Sequence, residues 1–250
     1  MINDIFDSPN ERLKTLASIL DTKIQMANKS SVFDMIGPVM IGPSSSHTAG
    51  VVRIARAAIR VLGGKPEKAL ITFYNSFART YEGHGSDRAI IGGLMDFKTD
   101  DARIKNALSI AEEVGFEYKF KSIGNSSIHH PNTIKLNLTL GERTVEVVGE
   151  SLGGGVINIS EVDGFVANFS AKDHTLIIKA EDVSGAIAFI SSVIAQEKTN
   201  IATMSVSRKG KNDRACHVIE MDSGIRAITI DYLKSLPWIK ELIYIPDIDL

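Results

Sequence analysis

The chain has 250 residues, 44% hydrophobic and 23% charged, which is enough to bury a core in one or two domains without staples. Lys plus Arg number 28 against 30 Asp plus Glu, so no net field favours nucleic acid or an anionic membrane. Apolar runs fall short of the roughly 20 residues a membrane helix needs, and one cysteine, Cys216, supplies neither a disulfide nor a thiolate metal set. The expectation is a cytoplasmic protein with no metal site of its own and no nucleic-acid or membrane partner.

Ser8-Pro9-Asn10-Glu11 is a capping box with proline at the first helical position, and Leu13, Leu16, Leu20 and Ile24 follow at helical spacing. This amphipathic helix, within an extension over residues 1–30, either packs on its own domain or docks another chain. An apolar run broken by Gly and Pro (32–41) leads into GPSSSHTAG (42–50). Val51, Ile54, Ala55, Ala58, Ile59 and Leu62 then form one helical face that stops at Gly63-Gly64. Residues 70–74 read as a strand, 88–94 and 103–114 as helices, and 117–120, 133–140, 144–148 and 156–159 as strands. This irregular order predicts an α+β domain over residues 31–172.

Ala171-Lys172-Asp173 reads as a boundary. Beyond it come strand 175–179, helix 184–196, strands 201–207 and 216–221, helix 227–236 and strand 239–245, the ferredoxin-like order βαββαβ. Asp182-Val183-Ser184-Gly185 and Asn200-Ile201-Ala202 make residues 173–250 resemble an ACT domain. That resemblance implies a regulatory ligand at Asp182, Gly185 and Asn200, or pairing of two copies with no ligand at all.

Four loops can carry chemistry. In the first, Ser44, Ser45, Ser46, His47 and Thr48 stand in a row at a helix start. There the free N–H groups and the macrodipole favour an anion such as a carboxylate, and His47 adds a group that titrates near neutrality. The plainer alternative is one capping serine, loop filler and a surface histidine. In the second, Gly83 and Gly85 flank His84 ahead of a helix beginning near Ser86. This is either a substrate loop approached closely by backbone or a turn with an exposed histidine.

The third loop, His129-His130-Pro131-Asn132-Thr133, lacks the cysteines or carboxylates of a zinc site, so His130 and Asn132 are candidates for hydrogen bonds to a ligand. The fourth, Gly153-Gly154-Gly155, is a turn that either clasps something or only turns. P-loop and dinucleotide fingerprints are missing, and Cys216 reads as a buried, inert thiol.

Taken together, Ser31-Val32-Phe33-Asp34, the SSSHT loop, Gly83-His84-Gly85-Ser86-Asp87 with Gly92-Gly93-Leu94, His130-Pro131-Asn132-Thr133 and Gly153-Gly154-Gly155 resemble the β chain of iron–sulfur-dependent L-serine dehydratases. The resemblance spans residues 31–250, and the first domain is similar to the substrate-binding domain of some phosphoglycerate dehydrogenases. It implies conversion of L-serine to pyruvate and ammonia with an α chain whose [4Fe-4S] cluster acts as Lewis acid, and no activity of this chain alone. On this reading His47 and His84 are catalytic. Ser44, Ser45, Ser46, Thr48, Gly83, Gly85, His130, Asn132, Gly153 and Gly154 bind substrate, and the isolated chain forms a homodimer. The alternative is a non-catalytic, amino-acid-sensing regulatory subunit.

Overall fold

A single π-helical turn, Ser45–Ala49, runs straight into α1 (Gly50–Leu62) in the computed structural model, which describes residues 39–210 and 213–248. The expected N-terminal helix and the extension 1–30 lie outside the described residues. Helix α1 ends as expected at Gly63, which takes the left-handed conformation at φ 91°. After it come β1 (Lys68–Tyr74), α2 (Asn75–Thr80), α3 (Ser86–Leu94), a 3-10 turn (Ala102–Asn106), α4 (Ala107–Glu113) and β2 (Glu117–Ile123). A meander of β3 (Thr133–Leu140), β4 (Arg143–Gly153), β5 (Val156–Val162) and β6 (Phe165–Phe169) completes a six-stranded sheet. The strand order is β2-β1-β3-β4-β5-β6, with β1 and β2 parallel and every other pair antiparallel.

Several local readings change in the structure. The helix expected over 103–114 divides, because Asp101 accepts a hydrogen bond from the Arg103 N–H and tightens the first turn to 3-10 geometry. Strand β6 and helix α2 had no counterpart in the reading of the elements. For β6 the signal was present: Asp163-Gly164, at φ 50° and 72°, is a hairpin turn, and FVANF alternates buried and exposed behind it.

Helix α1 departs most from expectation. Instead of one apolar face it is buried nearly all round, with Arg53 and Arg56 each only 5% exposed. Their charges are tolerated because Arg53 donates to the Gly155 carbonyl at 2.5 Å, while Arg56 reaches Asp96 and the Ile248 carbonyl. The sheet covers one side of the helix, α3 another, and β10 with the end of the chain a third.

The second sheet is built from β7 (His174–Glu181), β8 (Ile201–Arg208), β9 (Arg214–Met221) and β10 (Ile239–Ile245). Helix α5 (Ala186–Gln196) follows β7, and α6 (Ala227–Lys234) precedes β10. The all-antiparallel order β10-β7-β9-β8 is the ferredoxin-like arrangement, so the fold is α+β with two sheets.

One face of this sheet packs Leu176, Ile178 and Ile219 against Ile190 and Ile194 of α5 and Leu233 of α6. The opposite face carries Ile177, Cys216, Val218, Ile243 and Ile245 into the same core as α1 and the first sheet. Charges cross this junction too. Lys179 of β7 is paired with Asp163 of the β5–β6 turn and with Glu241 of β10 at 2.7 Å, and Glu241 also meets Arg143 of β4 at 2.6 Å. Cys216 is fully buried, which pushes its thiol up to about 11 and keeps it protonated. No helix among the described residues is long and apolar enough to cross a membrane.

Candidate active site

The serine-rich loop does not begin a regular α-helix. Ser44 is extended at φ −144° and caps the turn, its Oγ accepting from the His47 N–H at 3.3 Å and its carbonyl from the Thr48 N–H at 2.8 Å. The Gly50 N–H then reaches back five residues to the Ser45 carbonyl, the mark of a π-turn. Two of the N–H groups expected to cradle an anion are therefore already held by Ser44. What the turn presents instead is a cluster of half-buried side chains from Ser44 to His47.

Two buried serines lock this turn from outside. Ser86, at the start of α3, donates to the His47 carbonyl at 2.9 Å, and Ser151 of β4 donates to the Ser46 carbonyl at 3.0 Å. Gly50 makes the second lock possible, since a Cβ there would lie 2.2 Å from Ser151 Oγ. Ser151 in turn gives its N–H to the Asn132 carbonyl at 3.0 Å, tying the start of β3 to the same turn.

His47 occupies the centre. Its Nδ1 lies 3.0 Å from Ser46 Oγ and 3.3 Å from Ser44 Oγ, while its Nε2 lies 3.1 Å from Thr80 Oγ1 at the end of α2. Phe77 of α2 and His84 meet the ring edge-on, at centroid distances of 4.9 and 4.6 Å. Burial, and then the neighbouring His84, lower the pKa of His47 below its ordinary 6.5, so the ring is neutral at pH 7.

The structure thus brings together Ser44, Ser46, His47 and His84, and links Asn132 to them through Ser151. Ser45 contributes its carbonyl to the π-turn. His130 faces its own loop, where its Nδ1 accepts from the Asn132 N–H at 3.2 Å. Gly85, at φ 72°, sets the entry to α3, and Gly83 is exposed beside His84. Gly153, Gly154 and Gly155 all have positive φ, at 98°, 59° and 80°, which restricts this β4–β5 turn to glycine, and Arg53 anchors it through the Gly155 carbonyl.

Thr48 is turned inward. It is 2% exposed with its Oγ1 unpartnered among the described residues, packed where a side chain on Gly42 would sit. It fills the base of the turn and cannot touch a ligand in this conformation.

Thr80, Ser86 and Ser151 were not among the residues picked out as site-forming, and neither was Asn75. Asn75, at φ 50°, follows β1 directly and accepts from the Ser126 N–H at 2.7 Å. It also donates to the Ser126 and His129 carbonyls at 3.0 Å each, so it organises the loop that carries His130 and Asn132. A polar residue able to adopt positive φ at a strand end was its one legible signal.

The expected regulatory residues divide. Asp182, hydrogen-bonded to Arg208, and Gly185 precede α5 at one end of β7, beside Arg214 of β9. Asn200 donates to Asp222 at the other end of β9. An eight-residue strand separates them, roughly 25 Å at strand rise, so one copy of the chain does not assemble the three into one site. Near Asp182 and Gly185 lies a cavity of about 390 Å³, also lined by Val206 and His217. Among the described residues no three His, Cys, Asp or Glu side chains converge as a metal-ligand set, and Cys216 is enclosed, so they do not fit an iron–sulfur cluster.

This combination of a mixed sheet, a locked serine–histidine turn and a ferredoxin-like module defines a two-sheet α+β protein with a half-buried polar site. Residues 31–133 match the family described as serine dehydratase beta chain. The chain is 44% identical to the probable L-serine dehydratase, beta chain, of Bacillus subtilis, covering 87% of this chain and 98% of that one. It is 32% identical to the L-serine dehydratase, beta chain, of Peptoniphilus asaccharolyticus, over 77% and 87% respectively. The chain belongs to the L-serine dehydratase β-chain family.

It is also 26% identical to the D-3-phosphoglycerate dehydrogenase of Bacillus subtilis over 60% of this chain and 29% of that one. Among solved structures it matches the ACT domain of a GTP pyrophosphokinase from Chlorobium tepidum, at 18% identity and a TM-score of 0.24, over 28% of this chain and 94% of that one. Strand order alone carries the ferredoxin-like assignment here.

Proposed function

We propose that this chain is the β subunit of an L-serine dehydratase, contributing one half of an active site that an α chain bearing a [4Fe-4S] cluster completes, and that only the pair turns L-serine into pyruvate and ammonia. Family membership supports the reaction. The observation that carries the site is the neutral His47 ring held between Ser46 and Thr80 with His84 against it.

Removing water from serine requires a base for the α-proton, and a neutral imidazole among hydroxyls is suited to accept it. Ser45 offers its hydroxyl to the substrate carboxylate, Ser44 and Ser46 direct theirs towards the ring, and Asn132 is tethered to the same turn. The cluster's chemistry stays with the partner, since the described residues here offer no ligand set for it.

The test is anaerobic pyruvate formation from L-serine by the isolated chain, by the chain co-expressed with a cluster-bearing α chain, and by that pair carrying His47→Gln. The expected result is activity in the pair alone, and a loss of about 10²- to 10⁴-fold in the variant, the range for removing a general base. Full turnover by the isolated chain would refute the two-subunit site, and full turnover by the variant pair would refute the role of His47.

A second reading, that the ferredoxin-like module senses a small amino acid, is favoured by His217. This side chain is 2% exposed, its two ring nitrogens have no hydrogen-bond partner among the described residues, and it lines the cavity at the start of α5. Calorimetric titration of the isolated chain with L-serine, repeated on His217→Leu, separates the two loci: binding abolished by that substitution and unaffected by His47→Gln belongs to the module.

A further inference from the structure

Each ring nitrogen of His47 faces a hydroxyl, and the geometry determines which of them carries the proton. Thr80 Oγ1 has one hydrogen, and it lies 2.8 Å from the Ser76 carbonyl, one helical turn back in α2. A carbonyl oxygen can only accept, so the Thr80 hydrogen points to Ser76. What Thr80 offers to His47 Nε2, at 3.1 Å, is then a lone pair, and Nε2 must donate.

In a neutral imidazole the other nitrogen is consequently bare. Nδ1 accepts from Ser46 at 3.0 Å, and Ser46 Oγ can accept in turn from Ser44 at 3.2 Å. The result is a directed chain: Ser44 to Ser46 to His47 Nδ1 on one side, His47 Nε2 to Thr80 to the Ser76 carbonyl on the other. Turning the ring over would set carbon atoms against both hydroxyls, and the edge contacts with Phe77 and His84 frame the orientation seen.

We propose that Thr80 is a positioning residue which fixes His47 as the Nε2–H tautomer, so that the proton-accepting atom is Nδ1 and the proton exchanged with substrate passes on the Ser46 side of the ring. This rests on the reading that His47 moves a proton in the assembled enzyme. Removing the Thr80 oxygen orphans a half-buried N–H, which is costlier than orphaning a lone pair. The ring proton then moves to Nδ1, where Ser46 can accept it, and the base is lost from the side that faces the hydroxyls.

The test uses Thr80→Val, which keeps the shape of the side chain, and Thr80→Ser, which restores the oxygen. Nitrogen-15 NMR of the histidine-labelled isolated chain, with His47 assigned by its disappearance in His47→Gln, reads the tautomer without any turnover. Expected is protonated Nε2 and bare Nδ1 in the native chain and in Thr80→Ser, with the pattern reversed in Thr80→Val. In the pair with the α chain, Thr80→Val should lower kcat by about 10- to 100-fold at unchanged KM, the lower part of the range for misdirected general-base catalysis, while Thr80→Ser recovers most of it.

A proton on Nδ1 in the native chain overturns the proposal, as does Thr80→Val with the native tautomer and native kcat. If the tautomer is as stated but His47→Gln turns over fully, the catalytic half of the proposal falls together with the proposed function, and the NMR result shows that the local geometry was not at fault.

Discussion

Gly50 and Ser151 form the tightest joint in the candidate site, and exchanging their sizes tests whether that joint holds the serine–histidine turn. A Cβ on residue 50 would lie 2.2 Å from Ser151 Oγ and 2.9 Å from Ser151 Cβ. Ser151 is fully buried, so it cannot swing aside, and its hydroxyl must leave the Ser46 carbonyl.

Forcing atoms into a packed site costs about 1–3 kcal/mol, and leaving a partly buried carbonyl unpaired adds about 1 kcal/mol. Replacing glycine by alanine in a helix returns up to about 1 kcal/mol. Gly50→Ala should therefore destabilise the chain by about 2 kcal/mol. In a Ser151→Gly background the two clashing atoms are gone, and the next neighbour of the new Cβ, the Ser45 carbonyl at 3.6 Å, is an ordinary contact. There the same substitution should be neutral or stabilising by up to about 1 kcal/mol, a coupling of about 2–3 kcal/mol. Urea unfolding of the four isolated chains, followed by far-ultraviolet circular dichroism, measures it. Effects that add to within about 0.5 kcal/mol would refute the argument.

Lys179→Met removes the cation between Asp163 and Glu241, and it should cost about 2–3 kcal/mol, less than the loss from a fully enclosed pair because the carboxylates remain 29% and 31% exposed. Unchanged urea midpoints would show that this junction contributes nothing. Glu197 is clasped by hydrogen bonds from Arg226 and Thr229, which lower its carboxyl from the ordinary 4.5 to about 2. Its folded value lies below its unfolded one, so its contribution to stability is present above pH 4.5 and lost as pH falls towards 2. Glu197→Gln should flatten the dependence of the urea midpoint on pH across that window, and an unchanged slope would count against the clasp.

Much of the architecture was legible because it is a local property. Hydrophobic period marked α1, β3 and nearly every element of the ferredoxin-like half, and Gly63 marked where α1 stops. The cluster of hydroxyls around His47 also stood out, because five consecutive small polar or imidazole side chains are chemically unusual at any helix start. The missed elements were short: α2 offers six residues, too few for a period to declare itself over its neighbours, and β6 offers five, marked by the Asp163-Gly164 turn before it rather than by its own period.

The sequence by itself determined which residue types stand at the mouth of the site and, through period and turn chemistry, the order of most elements. Only the tertiary structure decided which of them meet. It turned Thr48 into the core, surrounded the two buried arginines of α1 with carbonyls and a carboxylate, and separated Asn200 from Asp182 by the length of a strand. It also supplied Thr80, Ser86 and Ser151 from three different elements to hold one turn. The physical reason is that a hydrogen-bond partner is chosen by distance and direction in space. Residues 33 and 105 positions away from the turn lie within 3.1 Å of it because the sheet carries α2 on β1 and β2 and sets β4 against α1.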